Sequence, residues 1–301
     1  MSAHNFTLEG QSTITGWENF PASTVLSRDG TSIGYHQLGG GPGLVIVHGA
    51  MSSGYNHLQL AQALADGFAV CIPDRRGRGS SGPSGASYGL ETEVEDLDAL
   101  VSETGARCIF GVSSGGIIAL QAALSLPGIH KVAVYEPPLS LSRPAAAAVL
   151  NRYDQEMAEG RAGAALVTGM KAAQMGPPIF NVIPNWLLEP LVNLAMKRED
   201  KDGPGGYIPM RALAPTLHND FQLVAEASGD IERFKAIRSD VLLLGGSKSP
   251  AYLRTALAGL GQTLPHARRT ELLGLGHEAT WNADRGGQPE KVAQELRLFF
   301  T

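Results

Sequence analysis

Four short apolar runs constrain the fold most: Leu44–Val47, Ala69–Ile72, Arg107–Val112 and Val132–Tyr135. Each has the length and the Val, Ile and Leu content of a buried strand. Stretches with helical spacing, Leu58–Ala65, Thr92–Val101 and Gly116–Leu126, alternate with them. This predicts a mostly parallel sheet with helices on both faces, because parallel strands need long crossovers that cover both sides. Ahead of it, Ala22–Ser27 and Ser32–Leu38 flank Arg28-Asp29-Gly30. The Asp-Gly pair predicts an antiparallel hairpin there.

The pattern changes after Glu136. From Leu139 to Ile237 the chain offers helical segments, Pro144–Glu159, Ala162–Gln174 and Trp186–Met196, and no convincing strand. Within this block Arg198–Gly206 is charged and glycine-rich, which predicts an exposed loop. Alternation resumes with Val241–Leu244, Tyr252–Leu260 and Thr270–Leu273, and Pro289–Phe299 reads as a closing helix. The expected organisation is therefore a first core part over 1–138, a helical cap over 139–237 and a second core part over 238–301.

Composition bounds the function classes. A 301-residue chain that is 43% hydrophobic can bury a sizeable core. Its net charge is −5 and its Lys and Arg residues are scattered, so nucleic acid and anionic membranes are not expected partners. No apolar run approaches membrane-spanning length. The two cysteines, Cys71 and Cys108, sit in strand-like runs, as free thiols in a reducing compartment would. The expectation is a cytoplasmic protein with a small-molecule substrate. Oligomeric state is not legible.

The chemistry begins at Gly111-Val112-Ser113-Ser114-Gly115, a Gly-x-Ser-x-Gly turn between a strand and a helix. A serine on such a turn is exposed in a strained backbone geometry, and the flanking glycines let strand and helix approach. Ser113 is the candidate nucleophile. An attacking serine needs donors for the tetrahedral oxyanion. The backbone amide of Ser114 is one candidate. The second is expected from the turn after Leu44–Val47, at Ala50, or at Met51 if that turn is displaced. His48 reads as a structural residue of the same turn. Of the eight histidines, His277 follows the last expected strand directly, at the sheet edge where open α/β sheets place their sites, and is the candidate base. His57, Met51 and Trp186 are candidate substrate contacts. Met170, Met175, Phe180 and Tyr207 belong either to the pocket or to the core of the helical block. No His, Cys, Asp or Glu cluster has metal-ligand spacing, so neither metal nor cofactor is expected.

His48-Gly49, Asp74-Arg75-Arg76-Gly77-Arg78-Gly79-Ser80, Gly111–Gly115 and Gly276-His277 occur in this order. Together they resemble the α/β-hydrolase superfamily, especially its cap-bearing esterase, haloperoxidase-like and carbon–carbon bond hydrolase members. The resemblance covers Ala22–Glu136 and Val241–Thr301 and implies a Ser-acid-His triad. It departs from the superfamily pattern at one place. The usual acid position, after the strand that follows the cap, holds Ser249, and no Asp or Glu occurs between Val241 and Thr270. Glu136, one strand earlier, is the best replacement, since a triad is defined by geometry rather than by position in sequence. A structural ion pair at Glu136, and a site that works without an acid, are the other readings. Asp74 and the arginines after it read as supports of the fold.

The resemblance implies hydrolysis of an ester, lactone or thioester through an acyl-enzyme on Ser113. A carbon–carbon hydrolase or lyase using the same Ser and His is the alternative. A ligand-binding hydrolase-fold protein with little turnover is a third reading, resting on the absent acid.

Overall fold

The computed structural model describes residues 17, 20–139, 142–176, 178–202 and 206–301. Its centre is an eight-stranded sheet: β1 (Ala22–Leu26), β2 (Ser32–Leu38), β3 (Gly43–Val47), β4 (Ala69–Pro73), β5 (Cys108–Val112), β6 (Lys131–Tyr135), β7 (Asp240–Gly246) and β8 (Ala267–Leu272). The spatial order is β1-β2-β4-β3-β5-β6-β7-β8. The β1–β2 and β2–β4 pairs are antiparallel, and every pair from β4 onward is parallel.

The helices between strands are α1 (Leu58–Leu64), α2 (Leu90–Thr104) and α3 (Ser114–Ser125). Between β6 and β7 lie α4 (Arg143–Ala158), α5 (Ala162–Ala172), α6 (Asn185–Asp202), the short α7 (Met210–Leu213) and α8 (Leu217–Ala227). The helix α9 (Ala251–Thr263) joins β7 to β8, and α10 (Pro289–Phe300) closes the chain.

The two-residue period of a strand sends neighbours to opposite faces. Val45, Ile109, Val134 and Leu243 pack on one face against α2, α3 and α9. Leu44, Phe110, Tyr135 and Leu244 pack on the other against α1 and α10. Both faces of the central strands are covered, which is why those runs read as continuously apolar rather than alternating. A third cluster, including Tyr153, Leu166, Met196 and Leu217, lies within the helices between β6 and β7 and reaches Ala50 and Met51 after β3.

Two expectations change. Arg198–Gly206 does not begin as a loop, because α6 continues to Asp202, while residues 203–205 lie outside the described ones. Lys, Arg and Glu are good helix formers, so charge alone does not end a helix. The last strand starts at Ala267, earlier than the expected Thr270–Leu273, because an edge strand tolerates exposed Arg268 and Arg269. No helix among the described residues is long and apolar enough to cross a membrane.

Candidate active site

Parallel strands point their C-terminal ends to one edge, and there the site assembles. The turns after β3 and β5 are neighbours because these strands pair, with Val47 opposite Gly111. The sheet order reverses about β3, which is flanked by β4 and β5, and such switch points open a crevice at the strand ends.

Ser113 sits between β5 and α3 at φ 53° and ψ −122°. A left-handed backbone at a non-glycine residue costs roughly 1–2 kcal/mol. Packing holds it there. A Cβ on Gly115 would come within 2.3 Å of the Val47 oxygen, and one on Gly111 within 2.3 Å of the Gly115 oxygen. The two glycines let α3, the Ser113 turn and β3 close on one another. Among the described residues only Met51, Ser113, Glu136 and Gln174 are non-glycine residues with positive φ. Three of the four belong to this site, the clustering expected where surrounding structure stores strain for a purpose.

Glu136 follows β6, at φ 51°, with its side chain wholly buried. Its Oε2 accepts from His277 Nδ1–H at 2.7 Å, and its Oε1 accepts from the Gly246 amide at 2.6 Å. Both bonds are charge-assisted, which offsets the cost of taking a carboxylate out of water. The space for it comes from Gly245 near the end of β7. A Cβ on Gly245 would meet Glu136 Oε1 at 3.1 Å and Leu257 Cδ1 at 2.5 Å. His277, partly exposed at 18%, starts a short 3-10 turn after β8. Its loop is tied down by Tyr135, whose hydroxyl donates to the Gly276 carbonyl at 2.6 Å. Since the carboxylate can only accept, His277 carries its proton on Nδ1 and leaves Nε2 free to take another. Ser249 is buried, and its hydroxyl has no hydrogen-bond partner.

Ser113, Ser114, Ala50, Met51 and His277 line one cavity of about 320 Å³. Its remaining wall is mostly apolar and comes from the helices between β6 and β7, with Leu166, Met170, Val192 and Phe221 among the contributors. Met175 and Tyr207 also line it. The Ser114 amide belongs to the first turn of α3, where backbone N–H groups lack intrahelical partners and face the positive end of the helix dipole.

Two expected contacts lie elsewhere. His57 is fully buried outside the cavity lining, bonded to the Thr280 carbonyl through Nδ1 (3.1 Å) and to Ser52 Oγ through Nε2 (3.3 Å). Burial lowers its pKa to about 4. It braces the loop carrying His277 rather than facing a ligand. Trp186 is 68% exposed on α6 and also lies outside that lining. Helical spacing alone does not say which side of α6 faces inward. His48 is structural: its Nε2 accepts from the Arg75 amide at 3.1 Å, and burial together with Arg78 and Arg75 holds its pKa well below the ordinary range.

The sequence reading missed Asp220. This α8 residue is buried, lines the cavity, and accepts from Ser114 Oγ and from Arg75 Nη1, each at 2.7 Å. It also pairs with Arg78. Desolvation would raise its pKa, but Arg78 and Arg75 outweigh it and lower it. Arg75 pairs in addition with Glu93 of α2. The cavity has a second polar corner. Arg285 donates to Glu199 of α6 at 3.0 Å and stacks over the Tyr207 ring at 4.2 Å. No local motif announces either corner.

Residues 44–295 match the model of the alpha/beta hydrolase family. The chain is an alpha/beta hydrolase. This hydrolase is similar to the crystal structure of an alpha/beta hydrolase from Sphaerobacter thermophilus, with TM-score 0.75 and 33% identity, covering 93% of this chain and 100% of that one. It is 34% identical to the magnesium-chelatase 30 kDa subunit of Rhodobacter capsulatus over 90 residues, which is 29% of this chain and 32% of that protein. It is 30% identical to the hydrolase YraK of Bacillus subtilis over 120 residues, 38% of this chain and 44% of YraK. The hydrolase therefore spans less than half the length of these two curated relatives in the matched regions.

Proposed function

We propose that this hydrolase cleaves a carboxylic ester, lactone or thioester of a small to medium hydrophobic substrate through an acyl-enzyme on Ser113. The observation that carries the reading is the Glu136–His277 hydrogen bond beside a cavity lined by both His277 and a strained, exposed-type serine turn. His277 Nε2 takes the Ser113 proton as Oγ attacks the carbonyl carbon. Glu136 fixes the imidazole tautomer and stabilises the imidazolium that forms. The amides of Ala50 and Ser114 hold the oxyanion, and His277 then gives its proton to the departing alcohol or thiol. A water activated by the same imidazole releases the acid. In this reading residues 139–237 act as the cap over a core made of 1–138 and 238–301, and the apolar cavity wall selects apolar substrates. The two free thiols, Cys71 and Cys108, support a cytoplasmic setting.

The test is turnover of p-nitrophenyl esters by the wild type and by Ser113→Ala. The expected result is a burst followed by steady hydrolysis, abolished in the variant. A lyase or a carbon–carbon hydrolase would leave such esters nearly untouched, and a pure binding protein would leave every ester untouched.

A further inference from the structure

A second cavity, of about 230 Å³, adjoins the first and is lined within the segment between β6 and β7. Val167 and Met170 of α5, Leu188 and Leu191 of α6, and Phe180 between these helices shape it. Met170, Met175 and Val192 line both cavities, so these three side chains form the wall between them. Two of the three are methionines, whose unbranched thioether stems change rotamer more readily than any branched apolar residue. The chamber's one charged residue, Lys171, has its ammonium engaged by the Ile183 carbonyl. Nothing in this chamber but its backbone and that lysine can bond a polar group, so its occupant is apolar. On the outer side Leu191 is 62% exposed, and α6 also exposes Trp186, Leu187 and Leu194.

We propose that the second chamber receives a linear alkyl chain of the substrate, threaded past Met170, Met175 and Val192 from the ester group held at Ser113. This rests on the ester-hydrolase reading and adds to it the substrate class: esters or thioesters with an unbranched aliphatic chain. A single compact cavity would favour a short or globular acyl group. Two apolar chambers in series, divided by a deformable wall, favour a long and flexible one. Each methylene that enters the chamber raises kcat/KM by up to about fourfold, the factor equivalent to about 0.8 kcal/mol per buried methylene.

The experiment is a chain-length profile with p-nitrophenyl acetate, butyrate, octanoate and laurate. It uses the wild type, Val167→Phe, which fills the chamber, and Phe180→Ala, which enlarges it. Val167 and Phe180 line the second chamber and not the first. In the wild type kcat/KM rises from acetate towards octanoate. The laurate-to-acetate ratio falls at least about tenfold in Val167→Phe, the loss of two or more buried methylenes, and shifts the other way in Phe180→Ala. An unchanged ratio in both variants, with melting temperatures intact, overturns the proposal while leaving ester hydrolysis standing. If Val167→Phe does not fold, Phe180→Ala carries the same test. If the wild type hydrolyses no ester, the functional reading fails instead, and thermal stabilisation by laurate reads the chamber directly. Stabilisation in the wild type that Phe180→Ala alters supports the chamber as a chain site, and none in the wild type refutes it.

Discussion

Glu136 and His277 stand 141 residues apart in sequence and 2.7 Å apart in space, joined by a hydrogen bond from imidazole Nδ1 to a fully buried carboxylate oxygen. The usual acid position one strand further on holds Ser249, with an unpartnered hydroxyl. Glu136 stands one strand away, after β6, and Gly245 at the end of β7 leaves room for its side chain.

Glu136→Gln keeps the shape and removes the acceptor pair. The amide can present its oxygen to only one of the two donors, Gly246 N–H and His277 Nδ1–H. The expected loss in kcat is two to four orders of magnitude, with KM within a few-fold, because the imidazolium loses its counter-charge only as it forms. Steady-state kinetics on a p-nitrophenyl ester checks this. A variant with near wild-type kcat and intact melting would make Glu136 a structural residue.

Ser249→Ala tests the position at which the superfamily resemblance expects an acid. Removing a buried hydroxyl without a partner relieves a desolvation penalty of about 1 kcal/mol. Urea unfolding should show stability unchanged or raised by that amount, with kcat within about twofold. A large loss of activity would mean that Ser249 takes part in the chemistry.

Asp220 bridges the helices between β6 and β7 to the core. Asp220→Ala leaves Arg75 and Arg78 buried without that partner, at a cost of about 3–5 kcal/mol. Ser114→Ala deletes only the hydroxyl that Asp220 accepts and should cost about 1 kcal/mol. Urea titrations of both variants measure the contrast. Equal effects would show that the arginines find other partners.

Stability should fall on mild acidification. Burial holds the His57 pKa at about 4 in the folded chain, against an ordinary 6.5. Between these values the unfolded chain binds a proton that the folded one refuses, so the His57 contribution to stability is lost as pH falls from 6.5 to 4 and changes no further below. The gap corresponds to about 3 kcal/mol from this residue alone. His48, displaced in the same direction, steepens the decline. Urea titrations at pH 7 and 4.5 should show the wild-type loss, and His57→Gln should flatten it. An identical slope in the variant would assign the acid sensitivity to other groups.

Most of the fold was legible because its signals are local. Leu44–Val47 and Val132–Tyr135 are buried on both faces, and continuous apolar runs say so without an alignment. The Ser113 turn and the His277 loop stood out as candidates for a similar reason, since each follows a strand end and carries glycines beside it. Glu136 became a candidate only through the superfamily resemblance, which expects an acid after the strand beginning at Val241, where Val241–Thr270 contains none. The contact that makes it matter depends on strand order, which periodicity does not encode. Asp220 was invisible because its partners Arg75, Arg78 and Ser114 lie 106 to 145 residues away and meet it only when α8 packs beside α3. Trp186 was misplaced because an exposed aromatic and an inward one look alike in a helix of mixed polarity. The charge and glycines of Arg198–Gly206 suggested a loop, yet Glu199 lies in α6 and anchors it through Tyr207, Arg285 and the Met210 amide.

The most direct test of the central claim is covalent. Incubation of the folded protein with a fluorophosphonate, followed by intact-mass and peptide mass spectrometry, should give one adduct per chain, on Ser113. The labelling rate should fall sharply in Glu136→Gln and His277→Ala. Folded wild-type protein that takes no label at Ser113, or that labels equally fast without Glu136 and His277, would contradict an acyl-enzyme built on this serine.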